Sequence, residues 1–216
     1  MALHPEGVFT GGPLAHLVAL AAGPDPLEWE VLRLQRCLRK DHWDAAWRTN
    51  LQTLASQLDH LAVSFDPEFL AGCPAAARRA WRAAAGDRPL PAFMTDLAML
   101  LRLADRQPEA AYEDVPLAAW EVRARFPLLL SLDSWGYDDE HASFKDSVRA
   151  LVAAEHPYCA WELVPRVGQA LEARTLCARS PAFAAAFRTL APGAEPETLG
   201  VFLRVLLGHL LEEHGY

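Results

Sequence analysis

Histidine and cysteine carry most of the chemistry that this sequence can offer. Of its eight histidines, five directly follow an acid: Asp41-His42, Asp59-His60, Glu140-His141, Glu155-His156 and Glu213-His214. Adjacent helical residues do not share a face, so none of these is a preformed acid–base dyad. Two settings are better placed. In His156-Pro157-Tyr158-Cys159 an imidazole and a thiol lie three residues apart, close enough to reach one zinc ion. That pair is half a site, and no second pair is evident to answer it. A helix start at Pro157, with Cys159 turned into the core, is the simpler expectation. His209 is followed at i+3 and i+4 by Glu212 and Glu213, on its own side of a helix. A metal ligand or general base would suit that position, but one helix supplies too few ligands. A histidine hydrogen-bonded to its neighbours is the plainer account. A metal reading therefore rests on His156, His209 and Glu213, and the sequence as a whole leads us to expect no metal, no catalytic set and no cofactor.

The segment Ser134-Trp135-Gly136-Tyr137-Asp138-Asp139-Glu140-His141 offers a different chemistry. Large aromatics beside charges are what a protein-binding hot spot uses. The acids also suit the start of the next helix, whose dipole favours negative charge there. Capping does not explain Trp135 and Tyr137, so Trp135, Tyr137, Asp138, Asp139, Glu140 and His141 are the candidate partner-binding residues.

Several enzyme classes lack their signatures. A carboxylate-bridged di-iron bundle needs Glu-x-x-His on two helices, and the nearest spacing is Asp138-x-x-His141. Asp41-His42-Trp43-Asp44 has the spacing of a magnesium–diphosphate site but no second motif, and Asp41 as a helix cap explains it. Neither a dinucleotide or phosphate loop, nor a nucleophile elbow, nor a metalloprotease motif is present.

Composition narrows the rest. The 216 residues are 52% hydrophobic and 22% charged, ordinary for a globular protein. Isoleucine is absent, lysine occurs only at Lys40 and Lys145, and asparagine only at Asn50, a bias expected of a GC-rich bacterial genome. A net charge of −8 argues against nucleic-acid binding, which depends on phosphate neutralisation, and suits a partner protein with a basic surface. The four cysteines form no CxxC pair. With neither a signal peptide nor an apolar run long enough to span a bilayer, the expectation is a cytoplasmic protein with no membrane contact.

These residues must be positioned by helices. Proline recurs just after a capping residue, as in Asp25-Pro26, Asp66-Pro67, Ser180-Pro181 and Glu195-Pro196, where its missing N–H costs nothing. Gly23, Gly72, Gly86 and Gly193 mark helix ends. Apolar stripes at helical spacing run through Leu27, Val31, Leu34 and Leu38, and through Leu51, Leu54, Leu58 and Leu61. The spacing predicts an all-α, compact multi-helix bundle of about ten helices. Helices are expected over 13–22, 26–40, 42–63, 67–71, 74–85, 91–106, 108–132 with a break at Pro116, 138–155, 158–178 with a kink at Pro165, 181–191 and 196–213. Residues 1–216 read as a single helical domain, with a possible lobe boundary near 86–90. The last helix is apolar nearly all round and is expected to be buried.

Phe126-Pro127, Phe144, His156-Pro157 and Ser180-Pro181 faintly resemble the helical partner subunits that accompany iron enzymes in methanobactin-type peptide modification. The resemblance covers only the C-terminal half, rests on unspecific residues and places the chain in no family; what it implies is an accessory subunit. The expected function is a non-catalytic bacterial protein-binding module, such as a toxin-neutralising immunity protein or an accessory subunit of a peptide-modifying enzyme. The alternative is a small helical metal-dependent enzyme acting on a small molecule in a buried pocket.

Overall fold

Each helix that the caps announce begins close to its cap. The computed structural model describes residues 5–38, 49–132 and 140–215, and among these the regular structure is helical, without strands. None of these helices is long and apolar enough to cross a membrane. The chain divides into two compact units, the first running to Ala110 and the second onward from Ala111. The segment 86–90 lies inside the first unit as the turn between two helices.

The first unit contains α1 (Pro5–Thr10), α2 (Gly12–Ala21), α3 (Leu27–Leu38), α4 (Leu51–Val63), α5 (Pro67–Gly72), α6 (Ala75–Ala85) and α7 (Leu90–Arg106). Asn50 starts α4 by accepting a hydrogen bond from the Thr53 amide at 2.8 Å, and Asp66 does the same for α5 from the Glu68 amide. The helix expected over 42–63 therefore begins only at Leu51; 42–48 lie outside the described residues. Ion pairing of Asp59 with Arg102, and a hydrogen bond from Gln52 to Asp105 at 3.0 Å, set α4 antiparallel to α7. Leu51, Leu54 and Leu58 are buried there, as are Phe93, Leu97 and Leu101. Helix α1 was not expected from the sequence. It is anchored by Trp81 of α6, whose indole donates to the Phe9 carbonyl at 3.1 Å while the two rings meet edge to face.

The second unit contains α8 (Ala119–Arg125), a short 3-10 turn (Pro127–Leu129), α9 (Phe144–Glu155), α10 (Cys159–Arg179), α11 (Pro181–Leu190) and α12 (Pro196–His214). The helix expected over 108–132 is a correction: residues 107–118 are irregular and only 119–125 are α-helical. Pro108, Pro116 and Pro127 remove backbone donors at three points, so no long ladder can form. The helix expected from 138 starts instead at Phe144, where the Ser143 hydroxyl accepts from the Asp146 amide. Pro165 sits inside α10, which continues through it.

Helix α12 buries Leu199, Phe202, Leu203, Leu206 and Leu210 against the unit's core. Burying five such side chains contributes on the order of 10 kcal/mol before entropy is counted. Phe126, Phe183 and Phe187 pack nearby, with Phe183 and Phe187 stacked at 5.1 Å between ring centres. The other side of α12 is wet: Arg204, Leu211, Glu212 and Glu213 are exposed. The C-terminal helix is thus buried along one face, and its opposite face is free to form a surface.

Candidate metal centre

Helix packing in the second unit brings distant parts of the sequence to one point. His156 ends α9 as its C-cap, Cys159 is the first residue of α10, and His209 and His214 lie in the last turns of α12. One ligand atom from each of these four residues lies within 4.8 Å of the other three. The Cys159 Sγ is 3.1 Å from His209 Nε2 and 3.7 Å from His156 Nδ1. His209 Nε2 is 3.2 Å from His214 Nε2. With Zn–N near 2.05 Å and Zn–S near 2.3 Å, a tetrahedral ion separates its ligands by about 3.3 Å (N to N) and about 3.6 Å (N to S). The two measured N–S distances bracket 3.6 Å and the measured N–N distance lies close to 3.3 Å, with every pair within 4.8 Å.

Local structure explains the convergence. The three buried-face leucines Leu203, Leu206 and Leu210 fix the rotation of α12, which leaves His209 half-buried beside the turn that joins α9 to α10. Gly215 closes α12 in the left-handed conformation, with φ of 66°, and His214 is the residue it caps. Helices α9 and α12 end here, where their partly negative C-termini favour a cation, and α10 begins here, where its partly positive N-terminus favours a thiolate at Cys159. Glu213 adds to this. Its Oε1 is 3.4 Å from His209 Nδ1, one helical turn away. The contact is one of charge proximity, and a carboxylate behind the ring favours a cation at Nε2 on its other side.

Without a metal, His209 Nε2 has one hydrogen bond to share between two neighbours. It faces the Cys159 thiol at 3.1 Å and the His214 imidazole at 3.2 Å, and a single lone pair accepts one good hydrogen bond. A cation at the shared point satisfies the whole set. The thiol, imidazole and glutamate also line up in the order of a nucleophilic triad, but the thiol is unsuited to attack. Cys159 is fully buried, and burial, reinforced by the carboxylates of Glu213 and Glu155, pushes its thiol above the ordinary cysteine value. A reactive cysteine is accessible and has a depressed value.

The sequence-derived candidates fare differently. Of the metal candidates, His156 and His209 join the cluster, while Glu213 holds His209 from behind. Cys159 is turned inward as expected, yet its sulfur faces two imidazoles. His214 was missed. The signal for it was in the sequence: His156-x-x-Cys159 is answered by His209-x4-His214, and two such pairs make a four-ligand set. Of the partner-binding candidates, Trp135, Tyr137, Asp138 and Asp139 lie outside the described residues; Glu140 is exposed and His141 half-buried. No protein-family model, curated protein or solved structure matches this chain.

Proposed function

We propose that this chain is a zinc-binding protein, with the ion held by His156, Cys159, His209 and His214, and that the metal clamps the second unit of a non-catalytic binding module. The observation that carries the reading is the approach of four ligand atoms, from three helices, to within 4.8 Å of one another. One thiolate and three imidazoles suit zinc among the common divalent ions. Four protein ligands complete a tetrahedron, the arrangement of a structural site. The clamp ties the α9–α10 turn to the end of α12. Next to Cys159, Tyr158 and Trp161 are 66% and 75% exposed. Their exposure supports a protein partner, in the manner of an immunity protein or an accessory subunit, docking beside the metal.

A metal-dependent enzyme is the second reading. It is favoured by the exposure of His156, because water replacing that ligand would leave three protein ligands and an open position.

Titration with cobalt(II) as a zinc surrogate tests both. The first reading expects one equivalent per chain, tetrahedral d–d bands and a thiolate charge-transfer band that Cys159→Ser abolishes. A spectrum that titrates with a bound water in the neutral range would instead support the enzyme. Failure to bind zinc or cobalt in a stoichiometric complex would overturn the metal centre altogether.

A further inference from the structure

A groove of about 570 Å³ lies between α9 and α12. The two helices run in the same direction along it. The His156 imidazole, at the end of α9, is 5.4 Å from the His214 imidazole at the end of α12, and the groove joins Lys145 near the start of α9 to Val201 near the start of α12. The charges are therefore sorted by position. Lys145 and Arg149 lie in the first half of α9 and Arg204 in the first half of α12, with the Arg204 guanidinium over Gly200, whereas Glu212 and Glu213 lie in the last turns of α12 beside the metal ligands; all five side chains line the groove from its exposed side. Lys145 and Arg204 make no hydrogen bond or ion pair among the described residues, and Arg149 pairs with Asp146 at 3.2 Å in an exposed contact. Between the two ends lies Gly208, where an added Cβ would meet nothing within 4 Å, so the middle of the groove is open. Val152, Val201 and Val205 give it apolar walls.

We infer that this groove binds a small dipolar molecule, with a phosphate between Lys145, Arg149 and Arg204 and a protonated amine against Glu212 and Glu213. Phosphate is the head group that clustered guanidinium and ammonium donors recognise best, since charge-assisted hydrogen bonds form from several directions. The two ends are separated by the eight residues from Arg204 to Glu212, about 12 Å along the helix axis. An alkyl chain of several methylenes fits that span and packs on the valines. The inference stands on the groove itself, although Glu213 serves both the groove and His209.

Calorimetric titration of the full chain with hexyl phosphate and with aminohexyl phosphate provides the test. Aminohexyl phosphate is expected to bind about tenfold tighter, the difference made by one charged contact. Arg204→Gln is expected to weaken both ligands about tenfold, and Glu212→Gln to remove only the preference for the amine. Gly208→Leu, which fills the open groove without touching the core, should abolish binding of both without lowering zinc content or melting temperature. Equal affinity for the two ligands, no saturable binding of either, or undiminished binding by the Gly208→Leu variant would overturn the inference. Protein that carries no zinc yet binds aminohexyl phosphate would sink the metal centre and leave the groove standing; zinc-loaded protein that ignores both phosphates would do the reverse.

Discussion

Two polar centres in the second unit are built on opposite principles. Around Arg125, donors meet acceptors. Its guanidinium donates to the Tyr112 hydroxyl, to Glu121 at 3.2 Å and to Glu172, and the side chains of Arg125 and Glu121 are almost wholly buried. Burial opposes the charge on Arg125, but Tyr112, Glu172 and Glu121 outweigh it and hold the guanidinium firmly protonated. In the other centre, His156, Cys159, His209 and His214 bring four ligand atoms to one point, where His209 Nε2 is shared between the Cys159 thiol and the His214 imidazole. The first is nearly closed: among the described residues only the Arg125 Nε is buried there without a partner. The second is completed only from outside. Burial and polarity alone do not mark a site; unmatched convergence does.

Breaking the closed centre should have the largest effect. Arg125→Ala removes the guanidinium that pairs with buried Glu121 and should cost about 3–5 kcal/mol in urea denaturation, with or without zinc. If zinc restores that loss, the two centres are not independent.

Next in size is the open centre. Zinc at a thousand times its dissociation constant should stabilise the protein by about 4 kcal/mol. Cys159→Ala should remove that increment while changing the zinc-free melting temperature little. The sign of the proton balance follows from the buried thiol. Because its value lies above the ordinary one, Cys159 is protonated near neutral pH in the metal-free protein, so zinc must expel a proton and its affinity should rise with pH. Calorimetry in buffers of different ionisation enthalpy reads this directly, and a metal uptake that releases no proton would show that the sulfur is not a ligand.

Glu213→Gln probes the carboxylate behind His209 and should weaken zinc about 10- to 100-fold, as competition with a chromophoric chelator would measure. An unchanged affinity would mean that the helix alone orients His209.

The smallest effect belongs to a polar contact of the closed type between a buried hydroxyl and an exposed carboxylate. Ser180 accepts from the Phe183 amide to cap α11 and donates to Glu113 at 2.7 Å. Ser180→Ala should cost about 1 kcal/mol through the cap. The same hydroxyl holds the Glu113 carboxyl below its ordinary value of 4.5. A lowered value means a contribution present above pH 4.5 and lost as pH falls through the lowered value. The variant should lose that part of the acid dependence, which melting curves across the acid range would reveal.

The helices were legible wherever a local rule governs them. Asp66 and Ser180, read as caps from the sequence, accept from backbone amides two and three residues on, whereas Asn50 and Ser143 do the same at helix starts that the acids upstream had placed too early. The 107–118 stretch was misread because its apolar residues keep helical company, while Pro108 and Pro116 take away the donors that a helix needs. Helix α1 was missed because it is short and depends on Trp81, more than seventy residues away. His156, Cys159 and His209 were each visible as candidates; His214 was not, because, five residues from His209, it does not share one ideal helical face with it.

What the sequence determined by itself is the all-α character, the punctuation of the helices and the apolar stripe that buries α12, since each follows from spacing within a few turns. What only the tertiary structure decided is that the end of α12 meets the turn between α9 and α10. Fifty residues separate Cys159 from His209, and their approach to 3.1 Å comes from how whole helices pack, a sum over many apolar contacts that no local pattern encodes.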